Sequence, residues 1–233
     1  MPIFRPLMDK KLIITADGSP SFHVAALKET YHSRHGARTE SQYVYIDQGL
    51  HHWLQHHKNP KQCRIFEMGL GTGINALLTF EAQLHTSCSL VYHTLEKYPL
   101  TADEIEAIPM EGLTSSPAAR QFFKDLYQLD WGLAQQLSSG FEVQKIQADL
   151  FEWVFENGYD LIYYDAFGAH AQPELWTEAA LKPVCEALAP GGIWVSYCAK
   201  GSVRRALTAL GLHVERLPGP PGKREMLRAT KPE

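Results

Sequence analysis

Arg64-Ile65-Phe66-Glu67-Met68-Gly69-Leu70-Gly71-Thr72-Gly73-Ile74-Asn75 is the stretch whose reading decides the fold. A short, mostly apolar strand runs into three glycines spaced two apart, and an apolar segment of helical length, Ile74 to Gln83, follows. Such a strand, turning on glycine into a helix, opens a β–α unit. Glycine lets the backbone turn sharply and approach a ligand, and the next helix offers free N–H groups to it. A dinucleotide-binding loop wants glycine or alanine at position 74, where this chain has isoleucine. The glycine comes one residue early and an acid precedes the loop, which favours a nucleoside ligand without a pyrophosphate. The plain alternative is a structural turn with no ligand.

Outward from the loop, strands and helices alternate. Leu90 to Leu95, Phe141 to Gln147, Tyr159 to Tyr164 and Ile193 to Tyr197 read as further strands. Residues 101–138 read as helical with interruptions at Pro109 and Pro117, Pro173 to Leu188 as a helix, and Val203 to Leu210 as another ending at Gly211. His213 to Leu217 and Lys223 to Ala229 are candidate terminal strands. This alternation predicts an α/β fold, a doubly wound and mostly parallel sheet covered on both faces. Ligands of such sheets lie beyond the carboxyl ends of the strands, near the topological switch. Those ends carry Glu67 with Gly69, then Glu96, Asp149 and Asp165. Residues 1–60 differ, being His-rich with few apolar runs; Leu12 to Thr15 reads as a strand and Gln42 to His57 as a helix. They are assigned to a small N-terminal extension packing on a domain of residues 61–233.

Composition sets the class. The chain has 233 residues, 45% hydrophobic and 21% charged, which describes a folded domain and excludes disorder. No apolar run approaches the ~18 residues of a membrane span, and the N-terminal Met1-Pro2-Ile3-Phe4-Arg5-Pro6 lacks a signal-peptide pattern. Cysteines 63, 88, 185 and 198 form no C-x-x-C pair, as expected in a reducing compartment. The expectation is a cytoplasmic protein. The formal charge is −4, but residues 198–233 carry eight bases against three acids. That local excess suits a polyanion partner or, equally, a solvated surface.

Glu96 lies 23 residues after Gly73, where a carboxylate can accept both ribose hydroxyl hydrogens. Asp149 can accept from an adenine amine with Leu150 and Phe151 beside the ring, or it can cap a helix starting near Phe151. The glycine loop, Glu96 and Asp149 together point to an adenosine-bearing cofactor.

These features resemble the S-adenosylmethionine-dependent methyltransferase fold, which is Rossmann-like. The likeness narrows at Asp165-Ala166-Phe167 with Gln172-Pro173-Glu174-Leu175-Trp176-Thr177, Glu96-Lys97-Tyr98-Pro99-Leu100, Val203-Arg204-Arg205 and Gly222-Lys223-Arg224-Glu225-Met226. With Tyr31-His32-Ser33-Arg34-His35-Gly36-Ala37 and Glu40-Ser41, the chain is similar throughout to the tRNA wobble-uridine methyltransferases. These are the MnmD enzymes and the N-terminal part of the fused MnmC proteins. The resemblance implies methyl transfer from S-adenosylmethionine to the amine of 5-aminomethyl-(2-thio)uridine in the tRNA anticodon, leaving S-adenosylhomocysteine. It also implies Glu67, Gly69, Gly71, Gly73, Asn75, Glu96, Asp149 and Leu150 as the cofactor site and Asp165 as the active-site acid. The fused relatives add a flavin oxidoreductase domain; this chain ends at Glu233, so no flavin and no oxidative step are expected. Many relatives have Ala-Pro after Asp-x-Phe, where this chain has Gly168-Ala169-His170.

Around that acid, Phe167 and Trp176 are candidates to stack the uracil or enclose the sulfonium, whereas Tyr163 and Tyr164 read as buried strand. Lys200 follows a strand near the expected catalytic mouth. Arg204, Arg205, Lys223 and Arg224 are candidates for anticodon phosphates, with internal ion pairs the alternative for Arg204 and Arg205. His51, His52, His56 and His57 spread over more than one helix face and read as solvated surface, so no metal is expected. Neither membrane nor obligatory protein partner is expected. Two other functions remain open: a methyl- or aminopropyltransferase acting on a small-molecule amine, and a tRNA-binding protein without catalysis.

Overall fold

The computed structural model describes residues 9–233, so the N-terminal stretch read for a signal peptide lies outside the described residues. The chain begins with a three-stranded antiparallel sheet, β1 (Lys10–Ile14), β2 (Pro20–Val24) and β3 (Glu29–Thr30), of which the sequence announced only the first strand. Next, α1 (Ala37–Ser41), a π-helical stretch (Gln42–His51) and α2 (His52–His56) run on without a break. This helix is a full layer of the fold. A side chain at Gly49 would come within 3.2 Å of Val195 and 3.3 Å of Tyr163 on the main sheet.

The main sheet then builds from β4 (Gln62–Met68), α3 (Ile74–Gln83), β5 (Ser89–Leu95), α4 (Ala102–Glu106), α5 (Pro117–Gln128), β6 (Ala134–Ser138) and β7 (Phe141–Ile146). It continues with β8 (Tyr159–Tyr164), α6 (Glu178–Glu186), β9 (Leu188–Ser196), α7 (Gly201–Ala209), β10 (His213–Pro218) and β11 (Glu225–Thr230). The eight strands lie in the order β10-β11-β9-β8-β4-β5-β7-β6. The central five are parallel, and β6, β10 and β11 are antiparallel. From β4 the chain winds one way through β5 and β7, then returns to β8 and winds the other way. The switch therefore lies between β4 and β8.

Side chains on these strands alternate between two cores. Ile65, Leu161, Tyr163 and Val195 face α3, α5 and the helix of residues 37–56, while Phe66, Ile162, Tyr164 and Trp194 face α6 and α7. Buried Tyr163 and Tyr164 match the strand reading. Four element expectations are corrected. Residues 134–138 form edge strand β6, because the turn at Ser139-Gly140 reverses the chain into β7. Pro173–Trp176 is a 3-10 turn, and α6 starts only after Thr177, whose hydroxyl caps it. Strand β9 begins at Leu188, ahead of Pro190-Gly191-Gly192, and β11 begins at Glu225. Among the described residues no helix is long and apolar enough to cross a membrane.

Candidate active site

The carboxyl ends of β4, β5, β7 and β8 open onto one cavity, lined among others by Gly69, Gly71, Glu96, Asp149, Leu150, Asp165 and Phe167. Gly69 has φ of +93°, and a Cβ there would lie 2.8 Å from the Asp165 carbonyl oxygen, so the loop after β4 passes directly against the end of β8. The Asp165 N–H donates to Met68 O at 3.0 Å and fixes that approach.

Glu96 accepts from the Tyr98 N–H at 2.7 Å and from the Gly71 N–H at 3.2 Å. Burial raises its carboxyl above the ordinary range, opposed by those N–H donors. Asp149 accepts from Lys97 at 2.6 Å and from the Phe151 N–H at 3.1 Å. Burial opposes ionisation there, but the lysine outweighs it and the carboxyl titrates below its usual range. Asp149 thus lines the cavity and closes a turn at Phe151; the helix it was read as capping does not form there.

Asp165 is half-buried, and burial lifts its carboxyl to about 7, with hydrogen bonds opposing. Asn75 Nδ2 donates to its Oδ2 at 2.8 Å. Asn75 is therefore placed beside Asp165 rather than on the cavity wall. Glu67 is fully buried and also stands behind the wall, its Oε2 accepting from the Thr94 hydroxyl at 2.7 Å. Burial pushes Glu67 up to about 8. Gly73 caps α3 with φ of +70°.

A second, outer cleft adjoins the cavity and holds Glu40, His170, Tyr197, Lys200, Lys223 and Arg224. Tyr31 and His32 line both. The Tyr31 ring packs edge-on to Phe167 at 5.1 Å and lies so close to the glycine loop that a Cβ on Gly71 would approach it to 2.9 Å. Lys223 pairs with buried Glu40 and lies 3.8 Å over the Tyr197 ring, whose hydroxyl donates to Ala166 O at 2.8 Å. The loop after Phe167 is held by Ala171 and Gln172 N–H groups donating to Gly168 O, and by a 2.5 Å contact of His170 with Glu29. Trp176 is buried, its indole N–H donating to Phe167 O at 2.7 Å, so it supports the loop and stands off the cavity. Arg204 and Arg205 are exposed on α7. The histidines of residues 51–57 engage their own helix: His56 and His57 contact the carbonyls of His52 and Trp53, and His51 contacts Asp47. Among the described residues no group of three or more His, Cys, Asp or Glu is placed to hold a metal.

A family model for S-adenosyl-L-methionine-dependent methyltransferases matches residues 132–232. The tRNA 5-methylaminomethyl-2-thiouridine biosynthesis bifunctional protein MnmC of Aromatoleum aromaticum is 30% identical over 238 residues, covering 96% of this chain and 36% of that protein. Its counterpart from Marinobacter nauticus is 27% identical, covering 97% and 37%. The chain is thus similar over almost its whole length to part of the MnmC proteins. It spans about a third of the length of these curated relatives. The crystal structure of MnmC2 from Aquifex aeolicus has the same fold, with a TM-score of 0.78 at 24% identity over 98% of this chain and 73% of that one. In this family frame, S-adenosylmethionine is the cofactor. Tyr31 and His32, which close the cavity from the N-terminal sheet, carry no motif that reports chemistry from the residues alone; only the family likeness of that segment marked the region.

Proposed function

We propose that this chain methylates the amine of 5-aminomethyl-(2-thio)uridine at the tRNA wobble position, giving the 5-methylaminomethyl form. Asp165 carries the reading: an acid held by Asn75 opens into the same cavity as Glu96 and the glycine loop. The lining fits the cofactor. Glu96 stands where a ribose would meet it, Asp149 and Leu150 where an adenine would, and Gly69 and Gly71 bring backbone rather than side chains to the cavity. Bound there, S-adenosylmethionine would supply a methyl group on a sulfonium, a redox-neutral electrophile that needs neither flavin nor metal.

The chain's own residues do the rest. A primary alkylamine titrates near ~10 in water, so it arrives mostly as ammonium and must lose a proton before its lone pair is free. Ionised Asp165 accepts a hydrogen bond from that ammonium, orients the nitrogen and takes the proton directly or through water. Phe167 and Tyr31 narrow the passage beside it. Lys200 and Arg224 in the outer cleft, with Arg204 and Arg205 on α7, give the anticodon phosphates a basic approach, while Lys223 is held by Glu40. The test is incubation of the protein with labelled S-adenosylmethionine and tRNA from a strain lacking the modification, followed by mass analysis of the nucleosides. The methylated nucleoside is expected; label in a small molecule only, or none in tRNA, overturns the proposal.

A further inference from the structure

The inner cavity and the outer cleft meet at two side chains, Tyr31 and His32. His32 is 7% exposed and held at three points. Its backbone N–H donates to Ser21 Oγ at 3.2 Å, its ring Nδ1 lies 3.2 Å from the same Ser21 Oγ, and its carbonyl accepts from the Thr30 hydroxyl at 2.6 Å.

Ser21 decides the tautomer. The hydroxyl is fully buried, and its lone pairs already receive the His32 backbone N–H, so its own hydrogen needs an acceptor. Nδ1 is the acceptor the described residues provide. A ring whose Nδ1 accepts carries its proton on Nε2. Burial also pushes the imidazole down to about 4, which keeps it neutral at physiological pH. Nε2 has no hydrogen-bond partner among the described residues and is not one of the fully buried unpaired atoms, so its N–H is free to donate, on a residue that lines both cleft and cavity.

We infer that His32 is a substrate-reading residue, its Nε2–H donating to a carbonyl oxygen of the pyrimidine whose side-chain amine is presented to Asp165. The inference rests on the proposed reading of the substrate as a tRNA pyrimidine. A ring entering from the outer cleft passes between Tyr31 and His32 to bring its amine to Asp165. A rigid donor at that neck fixes the ring's rotation, and it leaves a buried donor unpaired when a base lacking the carbonyl enters.

Two measurements test this. In wild-type protein labelled with ¹⁵N-histidine, His32 should show a protonated Nε2 and a bare Nδ1 throughout the neutral range. A protonated Nδ1, or an imidazolium at neutral pH, overturns the inference without any variant. In steady-state methylation of hypomodified tRNA, His32→Leu should raise the KM for tRNA about ten-fold with kcat and S-adenosylmethionine affinity nearly unchanged. His32→Gln, which keeps an N–H donor at that reach, should restore most of the loss. An unchanged KM for His32→Leu, or a fall in kcat without a rise in KM, overturns it. Failure of wild-type protein to methylate the tRNA counts against the proposed function, and the variants are then read against whichever pyrimidine substrate is found.

Discussion

At the residue scale, two acids on neighbouring strands, buried Glu67 and half-buried Asp165, divide the work by environment. Asp165 opens to the cavity and titrates at about 7, so it is ionised above that pH and protonated below it. The methylation rate in single turnover should rise as pH passes about 7 and then level off. Asp165→Asn should lose that limb and ~10²–10⁴-fold in rate. Calorimetry should show cofactor affinity nearly intact, and an Asn variant at wild-type rate removes the acid–base role. Glu67 cannot reach the cavity. Among the described residues its Oε1 is buried without a hydrogen-bond partner, which suits a protonated acid and not a carboxylate. Folding raises its titration from an ordinary 4.5 to about 8, so the folded state binds the proton more tightly. Its contribution to stability is therefore present below about 4.5 and fades as pH climbs to about 8. Glu67→Gln cannot ionise, so its melting temperature relative to wild type should improve steadily from pH 5 to pH 8, read by calorimetric melts across that range. A gap that stays constant with pH means that Glu67 is not protonated in the fold.

At the scale of elements, the junction of β4, the glycine loop and β8 holds the site together. The Gly69 conformation at φ +93° and the 2.8 Å approach of any Cβ to the Asp165 carbonyl leave no room for adjustment, because Asp165 is itself bonded to Met68. Gly69→Ala should cost about 1–3 kcal/mol of stability through backbone strain. It should also weaken S-adenosylmethionine binding, since the loop must move away from the cavity wall. Thermal melts with and without cofactor check both, and a variant with wild-type melting and an unchanged cofactor shift refutes the close-approach account. Strand β6 belongs to the same scale. Residues 134–138, Ala-Gln-Gln-Leu-Ser, lie at a sheet edge and show no alternation of apolar and polar side chains, so nothing in their periodicity marks a strand; only pairing with β7 does.

For the molecule as a whole, the basic C-terminal excess divides into an inner and an outer set. Lys223 is committed to Glu40 and Tyr197, and Arg228 to Glu215, so these charges organise the fold. Arg204 and Arg205 stay exposed on α7 with no ion pair among the described residues. If they meet tRNA phosphates, replacing both with Gln should raise the KM for tRNA. It should also flatten the dependence of log affinity on log salt by about one unit for each phosphate no longer neutralised, with cofactor binding unaltered. Filter binding over a range of salt measures the slope, and an unchanged slope places the phosphate path elsewhere.

The β–α alternation, the glycine turn and the acids at strand ends were legible in the sequence because they are local. Periodicity and turn chemistry act over a few neighbouring residues and leave their mark there. What only tertiary structure decided was which polar groups face the cavity. Glu67 and Asn75 share the glycine motif with Gly69 and Gly71, yet strand alternation turns Glu67 toward Thr94, and the first turn of α3 aims Asn75 at Asp165. Trp176 reads like a stacking platform, but its indole N–H finds the Phe167 carbonyl, and that bond buries the ring. His32 lies in a segment that only the family likeness marked, and nothing in its neighbours' pattern reports its chemistry. Its role comes from a serine eleven residues away, brought against it by the pairing of β2 with β3. Such contacts depend on how separate elements meet, and no local pattern of residues encodes that meeting.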